Sequence, residues 1–252
     1  MADIIAYHWV LLLLAAPCVG SFLGVVVARL PEDRPLVWAR SACPRCGHRL
    51  GARDLVPVLS WVVNRAKCRY CAQPLSWTYP AIELAAVAVA LWSLALTPGW
   101  LAWASSALGW SLLALAVIDA RHLLLPDEIT LPLIPAGLAV AWAVDRARLL
   151  DHVIGAVAGF VVVLVLRWGY ERVRRREGIG LGDAKLLAAA GAWVSWEGLP
   201  GVLLAAAAAA LAGHLLWARY AGHGVHGREV PFGPYLAGSI WLIWLYGPIT
   251  VG

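Results

Sequence analysis

Charged residues are scarce in this chain. Asp, Glu, Lys and Arg make up only 14% of its 252 residues, whereas hydrophobic residues make up 62%. Soluble globular domains usually carry about 25% charged residues, so this composition excludes a soluble domain. Apolar stretches long enough to cross a bilayer recur along most of the chain, which is typical of a polytopic helical membrane protein. The 15 Trp residues agree with this class, because indole rings favour the two membrane interfaces.

A basic start is also missing from the first apolar segment, Ile4 to Val27. Because further apolar segments follow it, we interpret this segment as a retained helix and not as a secretory signal. The fold class expected is an all-α polytopic membrane protein with about eight transmembrane helices. The predicted spans are roughly 5–28, 81–97, 100–118, 128–144, 152–168, 183–197, 200–217 and 233–249.

The basic residues fall on one side of this predicted topology. Nine of the 20 Lys and Arg residues lie in segment 29–80. If that segment is cytoplasmic, strict alternation also places segments 119–127, 167–185 and 218–231 in the cytoplasm. Every basic residue except Arg146 and Arg148 is then cytoplasmic, as the positive-inside rule requires. Orientation therefore accounts for the net charge of +5, and no nucleic-acid partner is expected.

The one sizeable hydrophilic segment, about 31–80, is too short to form a large core. It therefore needs a metal site or disulfides to stabilise it. It contains two C-x-x-C pairs, Cys43 with Cys46 and Cys68 with Cys71, separated by 21 residues. This spacing is typical of zinc ribbons, and in a reducing cytosol a metal site is favoured over disulfides. Four thiolates fill a tetrahedral site, so we predict structural zinc; redox or disulfide use and unligated thiols are the alternatives.

Two carboxylates, Asp119 and Asp183, lie at ends of apolar segments on the same predicted side. Ionisable groups at membrane depth are costly, which makes each of them a functional candidate. Two carboxyl groups that share one proton can activate a water molecule and polarise a peptide carbonyl. We therefore predict an aspartyl protease pair at the cytoplasmic face of the bilayer.

Four further residues are candidates for supporting this pair. Gly180 and Gly182 leave room for backbone and substrate to approach Asp183. Asp127 is expected to cap the N-terminus of the span that begins near residue 128. Lys185 is expected to neutralise the local acids or to snorkel to the interface.

A third acid, Glu83, lies just inside the second predicted span, after Tyr79 and Pro80. A carboxylate at that depth requires a partner. The sequence favours an Arg of the cytoplasmic loop.

Two functions of other classes stay open. A proton- or metal-coupled transporter would use Asp119, Asp183 and Lys185 as a relay and the cysteine loop as a zinc sensor. It predicts acids near the middle of spans and repeated halves, whereas here the acids lie at one edge and no internal repeat is evident. A membrane scaffold would use the cysteine loop to bind a cytoplasmic partner.

Several motifs jointly resemble one family, the bacterial type 4 prepilin leader peptidases/N-methyltransferases, and the likeness covers nearly the whole chain. The first half supplies GSFLGVVVARLP (20–31), SACPRCGH (41–48), PVLSW (57–61), KCRYC (67–71) and YPAIE (79–83). The second half supplies IDARHLLLPD (118–127), TLPL (130–133), GLGDAKLL (180–187) and PFGPY (231–235).

This resemblance implies that Asp119 and Asp183 are the family's two catalytic aspartates. The substrates would be type IV prepilins or pseudopilins, cut after Gly on the cytoplasmic side of the bacterial inner membrane. The new N-terminus would then be methylated with S-adenosylmethionine, an activity that the family associates with the cysteine loop. The sequence shows no glycine-rich methyltransferase fingerprint, so methylation depends on the resemblance alone.

The corresponding domains are a first transmembrane helix (1–30), a cytoplasmic four-cysteine domain (31–80) and a transmembrane peptidase domain (81–252). One departure from the family is Gly24, where many relatives carry Asn in the first helix.

Overall fold

The computed structural model describes residues 2–36, 40–174, 180–221 and 231–247. These residues are almost entirely helical or in turns, and their β structure is limited to two isolated bridges, Ala42 with Arg49 and Lys67 with Pro74. The α-helices are α1 (Ala2–Arg29), α2 (Leu59–Val63), α3 (Thr78–Leu96), α4 (Trp100–His122), α5 (Asp127–Val144), α6 (Leu149–Arg174), α7 (Leu181–Ala221) and α8 (Gly233–Tyr246).

The all-α membrane architecture predicted from composition is confirmed. Within the described ranges, six helices are long and apolar enough to cross a membrane, namely α1 and α3 to α7. Two predicted spans, 183–197 and 200–217, both lie in α7. Ser195 interrupts that element with φ 60° and ψ 179°, which are not helical angles, so α7 consists of two helical parts. The last predicted span corresponds to α8, which has 14 residues.

The chain divides into two compact units, Met1–Ala114 and Leu115–Gly252. In the first unit α1 packs on α3, and the contact is close because Gly20 has no side chain. A Cβ at Gly20 would lie 2.6 Å from Cα of Glu83. Trp110 of α4 donates a hydrogen bond from Nε1 to the carbonyl of Ala86, at 2.9 Å, and so joins α4 to α3.

In the second unit α7 is the central helix, and it packs against α5, α6 and α8. Its contact with α6 is made through glycine backbones. A Cβ at Gly159 would collide with the carbonyl of Leu187, and a Cβ at Gly191 would collide with that of Gly155. Small residues at such crossings let two membrane helices approach closely, where packing replaces the hydrophobic effect as the source of association. This contact fixes α7, which carries Asp183 at its first turn.

The α6–α7 contact generates a stability prediction. Gly159→Ala places a methyl group against the α7 backbone, and we expect it to destabilise the protein by about 1–3 kcal/mol, as overpacking does. Gly169→Ala is the matched control, because Gly169 lies on the same helix and a Cβ added there would have no atom within 4 Å. Thermal unfolding of the two variants in detergent measures the difference. Equal melting temperatures would contradict the close contact.

Candidate active site and metal centre

Asp119 lies in the last turn of α4 and is buried, with 6% of its surface exposed. Its Oδ2 accepts a hydrogen bond from the backbone N–H of Gly233, the first residue of α8, at 2.8 Å. A Cβ at Gly233 would lie only 2.6 Å from the same oxygen. Glycine is therefore required at this position for the backbone to reach the carboxylate.

Asp183 lies in the first turn of α7 and is partly exposed. A Cβ at Gly180 would lie 3.5 Å from Oδ2 of Asp183, and this carboxylate lies within the range of electrostatic repulsion by Asp119. Gly182 allows the approach of Leu125, whose Cβ would lie 2.9 Å from a Cβ at Gly182. The structure thus brings the two predicted acids together within one compact unit.

Asp127 and Lys185 form an ion pair beside these acids. Lys185 Nζ donates to both carboxylate oxygens of Asp127, at 2.6 and 2.7 Å. The expected capping role of Asp127 was wrong, because the N-cap of α5 is Pro126, without a side-chain hydrogen bond, and Asp127 is the first helical residue. The expectation that Lys185 neutralises a local acid is confirmed, because its ammonium group pairs with Asp127. The ion pair joins the start of α5 to the start of α7.

The four cysteines of the two C-x-x-C pairs converge in the first unit. Their sulfur atoms all lie within 4.8 Å of one another, and Cys43 Sγ is 4.0 Å from Cys71 Sγ. A tetrahedral thiolate site with metal–sulfur bonds near 2.3 Å separates its sulfurs by about 3.8 Å. Hydrogen bonds from the backbone N–H groups of Cys46 and Arg45 lower the pKa of Cys43 to about 7, whereas burial and the neighbouring sulfurs raise the pKa of Cys71 to about 11. The donor set therefore fits a metal ion.

The four-cysteine cluster is built from two turns with the same hydrogen bonds. In the first turn the N–H of Cys43 donates to the carbonyl of His48, and the N–H of Gly47 donates to the carbonyl of Cys43. In the second turn the N–H of Cys68 donates to the carbonyl of Gln73, and the N–H of Ala72 donates to the carbonyl of Cys68. Gly47 and Ala72 occupy equivalent left-handed positions, with φ of 69° and 56°. The two C-x-x-C pairs are thus two copies of one local structure.

Known proteins match the chain along nearly its whole length. The model of the bacterial peptidase A24 N-terminal domain matches residues 14–97, and that of the type IV leader peptidase family matches residues 106–215. A prepilin leader peptidase/N-methyltransferase of Aeromonas hydrophila is 39% identical over 95% of this chain and 91% of its own length. Its counterpart in Burkholderia pseudomallei (strain 1026b) is 43% identical over 87% of this chain and 79% of its own length.

A third relative with the same name, from Pseudomonas aeruginosa, is 37% identical over 91% of this chain and 87% of its own length. The chain belongs to the prepilin leader peptidase/N-methyltransferase family. No solved structure matches it significantly. The family resemblance inferred from the motifs is therefore confirmed.

Two functional contacts of this family member were not found by sequence reasoning. Gly233 of the PFGPY motif donates its N–H to Asp119, and nothing local in the sequence indicates which distant backbone N–H reaches a carboxylate. Glu83 was expected to pair with an Arg. Its Oε2 instead accepts the backbone N–H of Val58 at 2.6 Å, so that expectation was wrong.

The Gly24 departure has a defined place in the first unit. A Cβ at Gly24 would lie 3.4 Å from Cδ1 of Tyr79, an ordinary to slightly tight contact with a side chain that can move. A larger residue at this position would therefore extend beside the Tyr79 ring.

The sulfur geometry predicts the metal content of this peptidase family member. We expect about one transition-metal ion per chain and nearly none in Cys68→Ser, because a neutral hydroxyl replaces one of four thiolate ligands. Cys18→Ser is the control, since Cys18 is an exposed cysteine of α1 outside the cluster. Elemental analysis of protein purified without chelator measures both. Full metal content in Cys68→Ser would rule out this ligand set.

Proposed function

We propose that the chain is a membrane aspartic endopeptidase that cuts the leader peptide from type IV prepilins and pseudopilins. Cleavage takes place after Gly on the cytoplasmic side of the bacterial inner membrane. The enzyme then methylates the new N-terminus with S-adenosylmethionine. The observation that carries the proposal is the meeting of Asp119 and Asp183 in one compact unit of a chain belonging to this peptidase family.

The two carboxyl groups divide the chemistry of peptide hydrolysis. Like charges at close range resist double ionisation, so the pair holds one proton between its two members. The ionised carboxylate removes a proton from the attacking water, and the protonated carboxyl donates to the scissile carbonyl oxygen. Asp119 is held by the Gly233 N–H, so a backbone contact fixes this member of the pair before substrate arrives.

The positions of the acids along their helices support a peptidase over a transporter. A relay through the bilayer would place ionisable groups near the middle of spans. Asp119 instead belongs to the last turn of α4, and Asp183 belongs to the first turn of α7. A substrate segment that extends from the membrane surface can reach acids at helix ends without crossing the bilayer.

The four-cysteine centre is proposed to hold structural zinc. Cys43, Cys46, Cys68 and Cys71 would complete a tetrahedral site, which leaves no open position for a catalytic water. The metal would stabilise the loop between α1 and α3, which has few other means of forming a core. The basic residues of this loop support a cytoplasmic location, as the positive-inside rule predicts.

One incubation tests the proposed function. The purified chain is mixed with a candidate prepilin, with and without S-adenosylmethionine, and intact masses are measured. Loss of the leader mass reports cleavage, and an added methyl mass on the shortened product reports methylation. An uncut precursor under all conditions would reject the peptidase.

The acid pair predicts the effect of isosteric substitution. We expect Asp119→Asn and Asp183→Asn each to lower cleavage by at least about 10³-fold, because neither amide can share a proton with the remaining carboxyl. Asp145→Asn is the control: Asp145 caps a short helix through the N–H of Ala147, away from the pair along the chain. Cleavage at the normal rate by either variant of the pair would eliminate the mechanism.

Gly233 predicts a positioning effect. In Gly233→Ala the added methyl group collides with the Asp119 carboxylate and must displace it, so we expect kcat/KM for cleavage to fall by about 10²-fold. Gly238→Ala is the matched control, because Gly238 lies on the same helix with open space around its Cβ position. Melting temperatures of both variants show whether the fold is retained. Unchanged kcat/KM in a folded Gly233→Ala variant would contradict the contact.

A further inference from the structure

A cavity of about 530 Å³ lies in the first unit, between the end of α1, the start of α3 and the cysteine loop. Its volume falls within the range of small-molecule sites, about 300–1,000 Å³. The wall contains two aromatic rings, Trp61 and Tyr79, a buried acid, Glu83, and several cations. The proposed peptidase chemistry uses none of these residues.

Trp61 points to a missing acceptor in this cavity. Its Nε1 is buried, and no hydrogen-bond partner for it occurs among the residues that the structure describes. An indole nitrogen can only donate, and a buried donor without an acceptor is costly. A ligand with a hydroxyl or a ring nitrogen beside Trp61 would satisfy it.

Glu83 points to a missing cation. It is 7% exposed, and the hydrogen bond found for its carboxylate within the described ranges comes from the N–H of Val58. Buried carboxylates usually require further donors or an opposite charge.

The backbone at Val58 is strained where it meets this acid. Val58 has φ 59° and ψ −51°, and the N–H of Leu59 donates to the carbonyl of Pro57, which together form a γ-turn of the strained kind. Strain of this type persists where neighbouring contacts impose it, and it clusters at ligand sites. Here the imposing contact is the hydrogen bond from the N–H of Val58 to Glu83. The strained turn and the acid therefore hold each other in place.

The cations of the wall fall into two groups. Three of them are bound within the chain: Arg29 by backbone carbonyls, and Arg34 and Arg69 by carboxylates. For Arg40 and Lys67, the described part of the chain provides no ion-pair partner. Two positive charges are therefore available at the wall to an anionic group of a ligand.

We propose that this cavity binds the methyl donor, S-adenosylmethionine; the inference rests on the proposed methylation. The sulfonium and ammonium charges would face Glu83, and the carboxylate would face Arg40 or Lys67. The adenine would stack on Trp61 or Tyr79, as bases do on aromatic side chains, and Trp61 Nε1 would donate to the nucleoside. A ligand with only negative charge would be opposed by Glu83, and one with only positive charge would leave both cations unpaired.

The transfer itself balances without a further reactant. The α-ammonium of the cleaved product first loses one proton to water. The nitrogen lone pair then attacks the methyl carbon, and the carbon–sulfur bond breaks with its electron pair on sulfur. The products are a methylated ammonium and neutral S-adenosylhomocysteine.

The test measures binding by the purified full-length chain in detergent, using isothermal titration calorimetry with S-adenosylmethionine and with S-adenosylhomocysteine. We expect one site per chain. Glu83→Gln keeps an acceptor for Val58 but removes the charge, so S-adenosylmethionine should bind at least about tenfold more weakly, and S-adenosylhomocysteine should lose less. Trp61→Phe keeps a ring and removes the donor, and should weaken both ligands about threefold to tenfold.

A blocking variant and its control locate the site. Gly24→Trp extends a side chain much larger than the Asn of many relatives into the cavity beside Tyr79 and should abolish binding. Gly169→Trp has the same change on α6, where the Cβ position is open, and should bind normally. Metal content and melting temperature of each variant show that the cysteine loop is folded.

The outcomes separate this inference from the proposed function. Full affinity in folded Gly24→Trp and Glu83→Gln variants would place the methyl donor elsewhere and overturn the inference, while methylation stands. Occupation by added phosphatidylethanolamine that S-adenosylmethionine does not displace would make the cavity a lipid site and overturn it as well. A third outcome is a wild-type chain that cuts prepilin but neither binds the donor nor transfers a methyl group. That result would reject the proposed methylation and this inference together, while the peptidase function stands.

Discussion

The hydrogen bond from the Gly233 backbone to the Asp119 carboxylate is the constraint on which the candidate active site depends. A carboxylate with only 6% of its surface exposed, close to a second one, is costly unless donors compensate it. A backbone N–H at the start of α8 is such a donor, and it adds the partial positive charge of a helix N-terminus. Because no side chain fits between Gly233 and the Asp119 carboxylate, the start of α8 and this acid hold each other in place.

The remaining helices of the second unit hold the other acid in a comparable way. Asp183 begins α7, and α7 is fixed along its length by glycine contacts with α6 and at its start by the ion pair between Lys185 and Asp127. That ion pair is partly exposed, so its own contribution to stability is modest. Its value is geometric, since it joins the start of α5 to the start of α7, the helix that carries Asp183.

Much of this arrangement could be predicted from the sequence. Long apolar segments identify membrane helices, and the C-x-x-C spacing identifies four converging cysteines. These signals are local or additive along the chain. The partners of Asp119 and Glu83 are different, because any backbone N–H has the same chemistry and only the folded chain selects Gly233 and Val58.

The interruption at Ser195 was also invisible to composition. Hydropathy separated two spans near this point, at 197–200, but it contains no information on a backbone angle. Asp127 shows the opposite failure. A carboxylate after Pro126 satisfied the local rule for a cap, yet a lysine 58 positions away offered a charge, and the ion pair determined its side-chain position.

The duplicated cysteine turns have a consequence for how the enzyme matures. Each turn provides two thiolates, and two ligands hold an ion far more weakly than four, so neither half can close alone. Loop folding and ion capture would then be a single event. A newly inserted chain in a metal-starved cell would possess its helices and its acid pair while the loop stayed open, which would make metal supply a checkpoint for assembly.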